Sequence, residues 1–205
     1  NLSGNGWGEP DARAQAVRDL NRNADFRKAI TYALDRQRLG DSLVKGPFTT
    51  IYPGGIYAGT SFYDKDSTVY YPFSVDSAKA ALEVAGLKDT DGDGFVNLPS
   101  GEDLNVTLLS QSDYATDKNL AEGVVAMMGD AGIKVTLNLL GGKDFDNARD
   151  AGTYDWIVYR NQSDLITVVQ NTDKLAPVGP QTAINHRANA AGELDLLPFE
   201  QEMVD

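Results

Sequence analysis

The side chains best placed to do chemistry are a run of carboxylates, one histidine and three polar turns. Asp89, Asp91, Asp93, Gly94 and Asn97 match positions 1, 3, 5, 6 and 9 of a calcium loop. Position 12 should be a bidentate Glu; here it is Ser100, with Glu102 two places late. Asp and Gly are also what a tight turn needs, so the stretch reads as a structural turn. A calcium-dependent interaction module built on Asp89–Asn97 is the alternative. His186 is the one histidine, and a Ser-His-Asp hydrolase would have to use it, or else Asp113. It lies in the polar stretch AINHRANA, with no G-x-S-x-G elbow in the chain. H-E-x-x-H, P-loop and G-x-G-x-x-G motifs are missing too. A surface histidine and a non-enzyme are therefore expected. There is no cysteine, which excludes disulfides and thiolate chemistry.

The polar turns are Ser110-Gln111-Ser112-Asp113-Tyr114, Leu140-Gly141-Gly142 and Arg160-Asn161-Gln162-Ser163. They offer hydroxyls, amides, one carboxylate and one guanidinium. Arg160 could hold a carboxylate bidentately, and Asp113 could pair with an amine. The expected ligand-binding set is Ser110, Gln111, Asp113, Tyr114, Arg160, Asn161 and Gln162, with no catalytic residue, metal ligand or cofactor.

Those turns can act together only if the elements before them share one sheet. Leu104, Val106 and Leu108 alternate with Asn105 and Thr107, which is strand periodicity. A helix follows, capped by Thr116 or Asp117, with Leu120, Val124, Met127 and Met128 on its buried face and Gly132 at its end. Ile133, Val135, Leu137 and Leu139 alternate in a second strand. Gly141-Gly142 breaks it, and a short helix runs from Phe145 to Ala151. A third strand spans Tyr154 to Tyr159, with Trp156 in the core. The order strand, helix, strand, helix, strand predicts parallel pairing, and ligands of open parallel sheets sit beyond the carboxyl ends of the strands.

Upstream, Tyr70 to Leu109 reads as loop, helix, acidic turn and strand. Ser74 or Asp76 caps the helix, Ala78, Ala81, Leu82 and Ala85 give it an apolar face, and Gly86 ends it. Phe26, Ala29, Ile30, Ala33 and Leu34 line one face of an earlier helix. Lys45 to Tyr63 is loop, and Leu165 to Val169 is compatible with a short helix. The division expected is a leading segment at 1–24, an α/β lobe at 25–170, and a loop with a truncated helix at 171–205.

Lys and Arg number 18 against 30 Asp and Glu, a net charge of -12 that argues against nucleic acid as partner. No apolar run reaches membrane-spanning length. The first residues lack the basic start and apolar stretch of a signal peptide. Both ends look cut, as in a piece of a longer chain.

Four stretches carry a resemblance. Phe26-Arg27-Lys28-Ala29-Ile30 with Ala33-Leu34-Asp35-Arg36 is similar to the "VRKAI-x-x-A-x-DR" helix of the extracytoplasmic solute-binding proteins of family 5. These are the peptide- and nickel-type receptors of ABC importers. Tyr70-Tyr71-Pro72 through Asp89–Gly94 is similar to their "Y-x-P" to "D-x-D-G-D-G" stretch, with Ala81-Leu82 where the family has Leu-Leu. Gly129 to Val135 resembles the helix-to-strand junction, with Gly129 in place of an apolar residue. Tyr154-Asp155-Trp156 resembles the "YD" strand. The matches run in family order over about 25 to 161.

The resemblance implies a lobe of the type II periplasmic binding protein class, α/β with a parallel or mixed sheet flanked by helices. It implies a clamshell receptor in the bacterial periplasm or outside the membrane, of which this is the carboxy-terminal lobe. Its partners would be a peptide-like or other small solute, the missing amino-terminal lobe of the same chain, and an ABC permease. The segment after the YD strand supplies ligand contacts in the family, often an Asp that takes a peptide's amine. Arg160 there, with Asp164 slightly beyond, points to an acidic or sugar-like solute. An isolated lobe is expected to bind weakly, because half the contacts are missing.

Overall fold

A computed structural model describes residues 1–43, 61, 63–159, 176–180 and 185–205. The expectations for the loop at 45–63, apart from Ser61 and Tyr63, the helix at 165–169, Arg160, Asn161 and Gln162 lie outside the described residues.

The order of elements is α1 (Ala12–Arg22), α2 (Ala24–Ala33), α3 (Arg36–Leu43), α4 (Val75–Val84), β1 (Asn105–Gln111), α5 (Ala115–Asp130), β2 (Lys134–Leu140), α6 (Gly142–Ala151), β3 (Trp156–Ile157) and α7 (Pro198–Val204). The three strands form one sheet in the order β2-β1-β3. Both pairings are parallel, with Gln111 opposite Leu140 and Leu109 opposite Ile157. This is the α/β class expected, and among the described residues the strands of the sheet all run parallel.

Four of the described helices start where a short polar side chain takes an orphan backbone donor. Asp11 accepts from the Ala14 N–H, Asn23 from Asp25 and Phe26, and Ser74 from Ser77. Asp35 accepts from the Arg38 N–H and so begins α3, a break at Leu34 that the apolar spacing did not reveal. Helix α5 begins after Tyr114 with no side-chain cap; Asp117 sits inside its first turn instead of capping it.

The two sheet faces bury different cores. On one, Val106 joins Val17, Phe26, Ala29, Ala33, Ala78, Leu82 and Met128 from α1, α2, α4 and the end of α5, and Ile133 from the junction before β2. Three of these are fully buried alanines, Ala29 and Ala33 on α2 and Ala78 on α4, whose small side chains let the two helix backbones come close. Trp156 packs against this core, with its ring 6.2 Å from that of Phe26. Its Nε1 donates to Asn21 Oδ1 at 2.7 Å, which satisfies the one polar atom the indole carries. On the other face, Trp7, Leu109, Phe145 and Tyr154 form a smaller cluster under α6.

The leading residues are tied into both cores. Arg18 is buried and donates to the backbone carbonyls of Trp7 and Gly152. Asp155, the acidic residue of the YD pair, is also buried. Its Oδ2 accepts the Thr107 N–H at 2.7 Å and Arg13 Nη1 at 2.6 Å. The aspartate thus joins β3 to β1 and fastens α1 to the sheet. β3 itself is two residues long rather than the six expected, although backbone bonds to β1 continue on either side of it, from the Asp155 N–H to Thr107 O and from the Val158 N–H to Leu109 O.

His186 corrects the expectation of a surface histidine. It is fully buried, and both ring nitrogens meet carboxylates. Its partners, Asp195 and Glu200, are 9 and 14 residues away, a distance at which single-sequence patterning carries no signal.

Candidate functional site

Parallel pairing in register brings the ends of the three strands to one edge. The Ser112 N–H donates to Leu140 O at 2.9 Å, which continues the β1–β2 ladder into the first turn. The Val158 N–H donates to Leu109 O at 2.9 Å and does the same for β3. The turns at 111–114 and 140–142 therefore meet, and Val158-Tyr159 leaves beside them.

The side chains at this rim divide by what they already hold. Ser110 is fully buried, and its Oγ donates to Asp117 O at 3.2 Å; it fixes the start of α5 from beneath the rim. Asp113 is exposed, and its Oδ2 accepts the Gly142 N–H at 2.8 Å. The aspartate of one turn thereby caps the helix that begins at the next, a favourable place for a carboxylate because the first amide protons of a helix converge there. Gly142 also permits the close approach, since a Cβ at that position would stand 3.3 Å from the same oxygen. Gln111 is half-buried and Tyr114 exposed. Tyr159, not among the residues expected, is exposed two residues beyond β3, with the Arg149 guanidinium 5.8 Å from its ring centre. Arg149 is held by Asp146 and Asp150, and the Asp150 partnership keeps it protonated. The signal for Tyr159 in the sequence is its place, the last residue of the aromatic-bearing strand expected over Tyr154 to Tyr159.

Two other features compete for the role of site. A polar cleft of about 180 Å³ lies toward the opposite end of β1, lined by Arg13, Arg18, Thr107 and Asp155. Its charged walls are committed to one another and to backbone, as described above, so it is a structural junction. The second is the acidic turn. Asp89, Asp91 and Asp93 are exposed, with ligand atoms within 4.8 Å of one another. Yet Asp89 accepts the Gly92 and Gly94 N–H groups at 2.6 and 3.0 Å, and those amides hold its carboxyl below the usual range. Asn97 is buried and accepts from the Thr90 N–H and hydroxyl. The oxygens a cation would need are organising the turn, with no carboxylate at Ser100 to add.

The family pattern of the bacterial extracellular solute-binding proteins, family 5 (middle region), matches residues 12–177. The chain belongs to that family. A periplasmic alpha-galactoside-binding protein of Rhizobium meliloti (strain 1021) is 58% identical over all of this chain. The solved structure of the periplasmic binding protein MelB from Agrobacterium fabrum C58, in complex with stachyose, is 58% identical with a TM-score of 0.93 over 100% of the chain. A mannohexaose-bound oligopeptide-binding protein from Thermotoga maritima shares the fold at 21% identity, with a TM-score of 0.60 over 66% of the chain and 26% of its own. The chain spans 30% of the Rhizobium protein and 31% of MelB. That family is one of bacterial extracellular solute-binding proteins, and the match falls on its middle region. No described helix is long and apolar enough to cross a membrane.

Proposed function

We propose that this chain forms one lobe of an ABC-importer receptor that captures an α-galactoside oligosaccharide rather than a peptide. The observation that carries the reading is 58% identity, over the whole chain, to a protein named for α-galactoside binding and to one solved with stachyose.

The rim chemistry fits such a solute. A sugar offers hydroxyls that donate and accept, and a pyranose face that is apolar. Gln111 and Asp113 supply amide and carboxylate partners, and Tyr114 and Tyr159 supply flat amphipathic rings. Asp113 is anchored by Oδ2 to the Gly142 N–H, while Oδ1 takes only a long 3.5 Å contact from the Ser112 hydroxyl, which a ligand hydroxyl would replace or share. Ser110 supports the rim from below, while Arg160, Asn161 and Gln162 complete the proposed contact set. The missing partner lobe closes over the ligand, and the closed state is favoured by contacts that only both lobes together provide. The closed receptor then delivers its solute to a membrane permease.

Titration calorimetry of the full-length protein with stachyose and with a short peptide tests this. One-site binding of stachyose and no heat from the peptide is the expected result. Peptide binding without saccharide binding overturns the reading.

A further inference from the structure

Segment 185–205 lies along the leading residues and the first two helices. The Leu2 N–H donates to Asn185 O at 2.7 Å, the Arg187 N–H to Ser3 Oγ at 3.0 Å, and Asn5 Nδ2 to Glu193 O at 2.8 Å. Phe199 of α7 lies under the Arg27 guanidinium at 5.4 Å. Beneath this seam sits His186. Its Nδ1 is 2.8 Å from Glu200 Oε2, and its Nε2 is 2.8 Å from Asp195 Oδ1.

The bonding pattern dictates the protonation state. A carboxylate only accepts, so a ring with a carboxylate at each nitrogen makes both hydrogen bonds only as the doubly protonated imidazolium. The neutral ring would turn one nitrogen lone pair against an anion inside the protein. Glu200 also accepts the Leu197 N–H at 2.8 Å, which closes the first turn of α7. Asp195 also pairs with Arg22 of α1 at 3.0 Å. The result is a continuous chain of charge from α1 through Asp195, His186 and Glu200 to the start of α7.

We propose that His186, clamped between Asp195 and Glu200, is a pH-operated latch that holds segment 185–204 against α1 and α2 and releases it when the ring loses a proton. Neighbouring charges set the operating range. Burial disfavours the charged ring, but the hydrogen bonds it donates to Glu200 and Asp195 outweigh that and raise its proton affinity above the ordinary 6.5. Burial likewise disfavours the Glu200 carboxylate, and its bonds to His186 and Leu197 outweigh that, so it stays ionised below the ordinary 4.5. Arg22 faces the cluster from α1 and favours both carboxylates. Arg27 on α2 is directed to the Asn21 and Arg22 carbonyls and to Phe199. Arg187, next in sequence, turns away to Trp7 and Asp150. An extracytoplasmic protein meets the pH of the medium, so alkaline surroundings open this latch while mildly acidic ones keep it shut.

Two readouts on the full-length protein test it together. One is the ring-nitrogen NMR shift of His186, assigned by loss of the signal in His186→Gln. The other is the amide-exchange protection of residues 200–204 and Arg187, corrected for intrinsic exchange. The latch requires an imidazolium signal at neutral pH, and protection that is lost with the same midpoint at which the ring deprotonates. Asp195→Asn should move both midpoints to lower pH together, and His186→Gln should leave protection insensitive to pH. A neutral ring at pH near 7, or protection that ignores the ring's titration, overturns the proposal. Should the glutamine variant fail to fold, the wild-type and Asp195→Asn titrations decide it.

Discussion

Asp155 and Arg13 meet at 2.6 Å, with the same carboxylate oxygen accepting the Thr107 N–H, so one side chain fastens both a strand and a helix to the central strand. The aspartate is buried and the arginine about one-third exposed, at 35%. Asp155→Ala leaves the part-buried Thr107 amide without its side-chain acceptor and the Arg13 guanidinium with only Asn105 O. The expected loss is about 2–3 kcal/mol in chemical denaturation, by the usual cost of unsatisfied buried groups. Arg13→Ala, from the more exposed side, should cost less. Equal and negligible losses would show that the pair does not join these elements.

Gly152 ends α6 at φ 72°, and a Cβ there would lie 2.8 Å from the Trp7 ring. Gly152→Ala combines left-handed strain with overpacking, for an expected loss of about 2–4 kcal/mol. Gly86 ends α4 at φ 86° with nothing within 4 Å of the same added carbon. Gly86→Ala therefore carries the backbone strain alone, about 1 kcal/mol. Melting both variants separates the two effects, and Gly86→Ala proving the more harmful would contradict the packing described.

The His186 cluster gives stability a direction with pH. The histidine contributes stability that is fully present below its ordinary 6.5 and is lost as pH rises through its raised folded value. Glu200 contributes stability that is present above 4.5 and is lost as pH falls through its lowered folded value. The melting temperature should therefore be highest between these limits and decline toward alkaline pH. His186→Gln should flatten the alkaline side, as followed by circular dichroism. A wild-type alkaline decline unchanged in the variant would assign it to other groups.

Calcium should leave this region indifferent. With Asp89 bonded to Gly92 and Gly94, and no carboxylate at Ser100, neither millimolar calcium nor a chelator is expected to move the melting temperature. A shift that appears with the ion and vanishes on chelation would restore the acidic turn as a cation site.

Local chemistry made parts of this architecture legible in the sequence. Ser74 and Gly86 bracket α4, and the alternation from Leu104 to Leu108 places β1, because caps and period-two burial act over a few residues. The helix α3 escaped because its buried face is Leu39 alone, leaving Asp35 as its one marker. The burial of His186 escaped for a different reason, since its carboxylate partners are distant in sequence and the surrounding residues are polar. At the rim, strand order placed the turns after β1 and β2 on one edge, while the turn at 160–163 lies outside the described residues. Which of their side chains were already engaged depended on contacts such as Ser110 to Asp117 and Asp113 to Gly142, whose partners lie on neighbouring elements.

The claim on which the functional account rests is that the turns beyond β1, β2 and β3 receive the sugar. Amide exchange of the full-length protein with and without stachyose measures it most directly. The account predicts new protection at 111–114 and 141–142, and at least a tenfold weaker complex for Tyr114→Ala by the usual weight of a central aromatic contact, about 2 kcal/mol. Protection that bypasses these turns and gathers elsewhere on the lobe, with Tyr114→Ala binding normally, would contradict it.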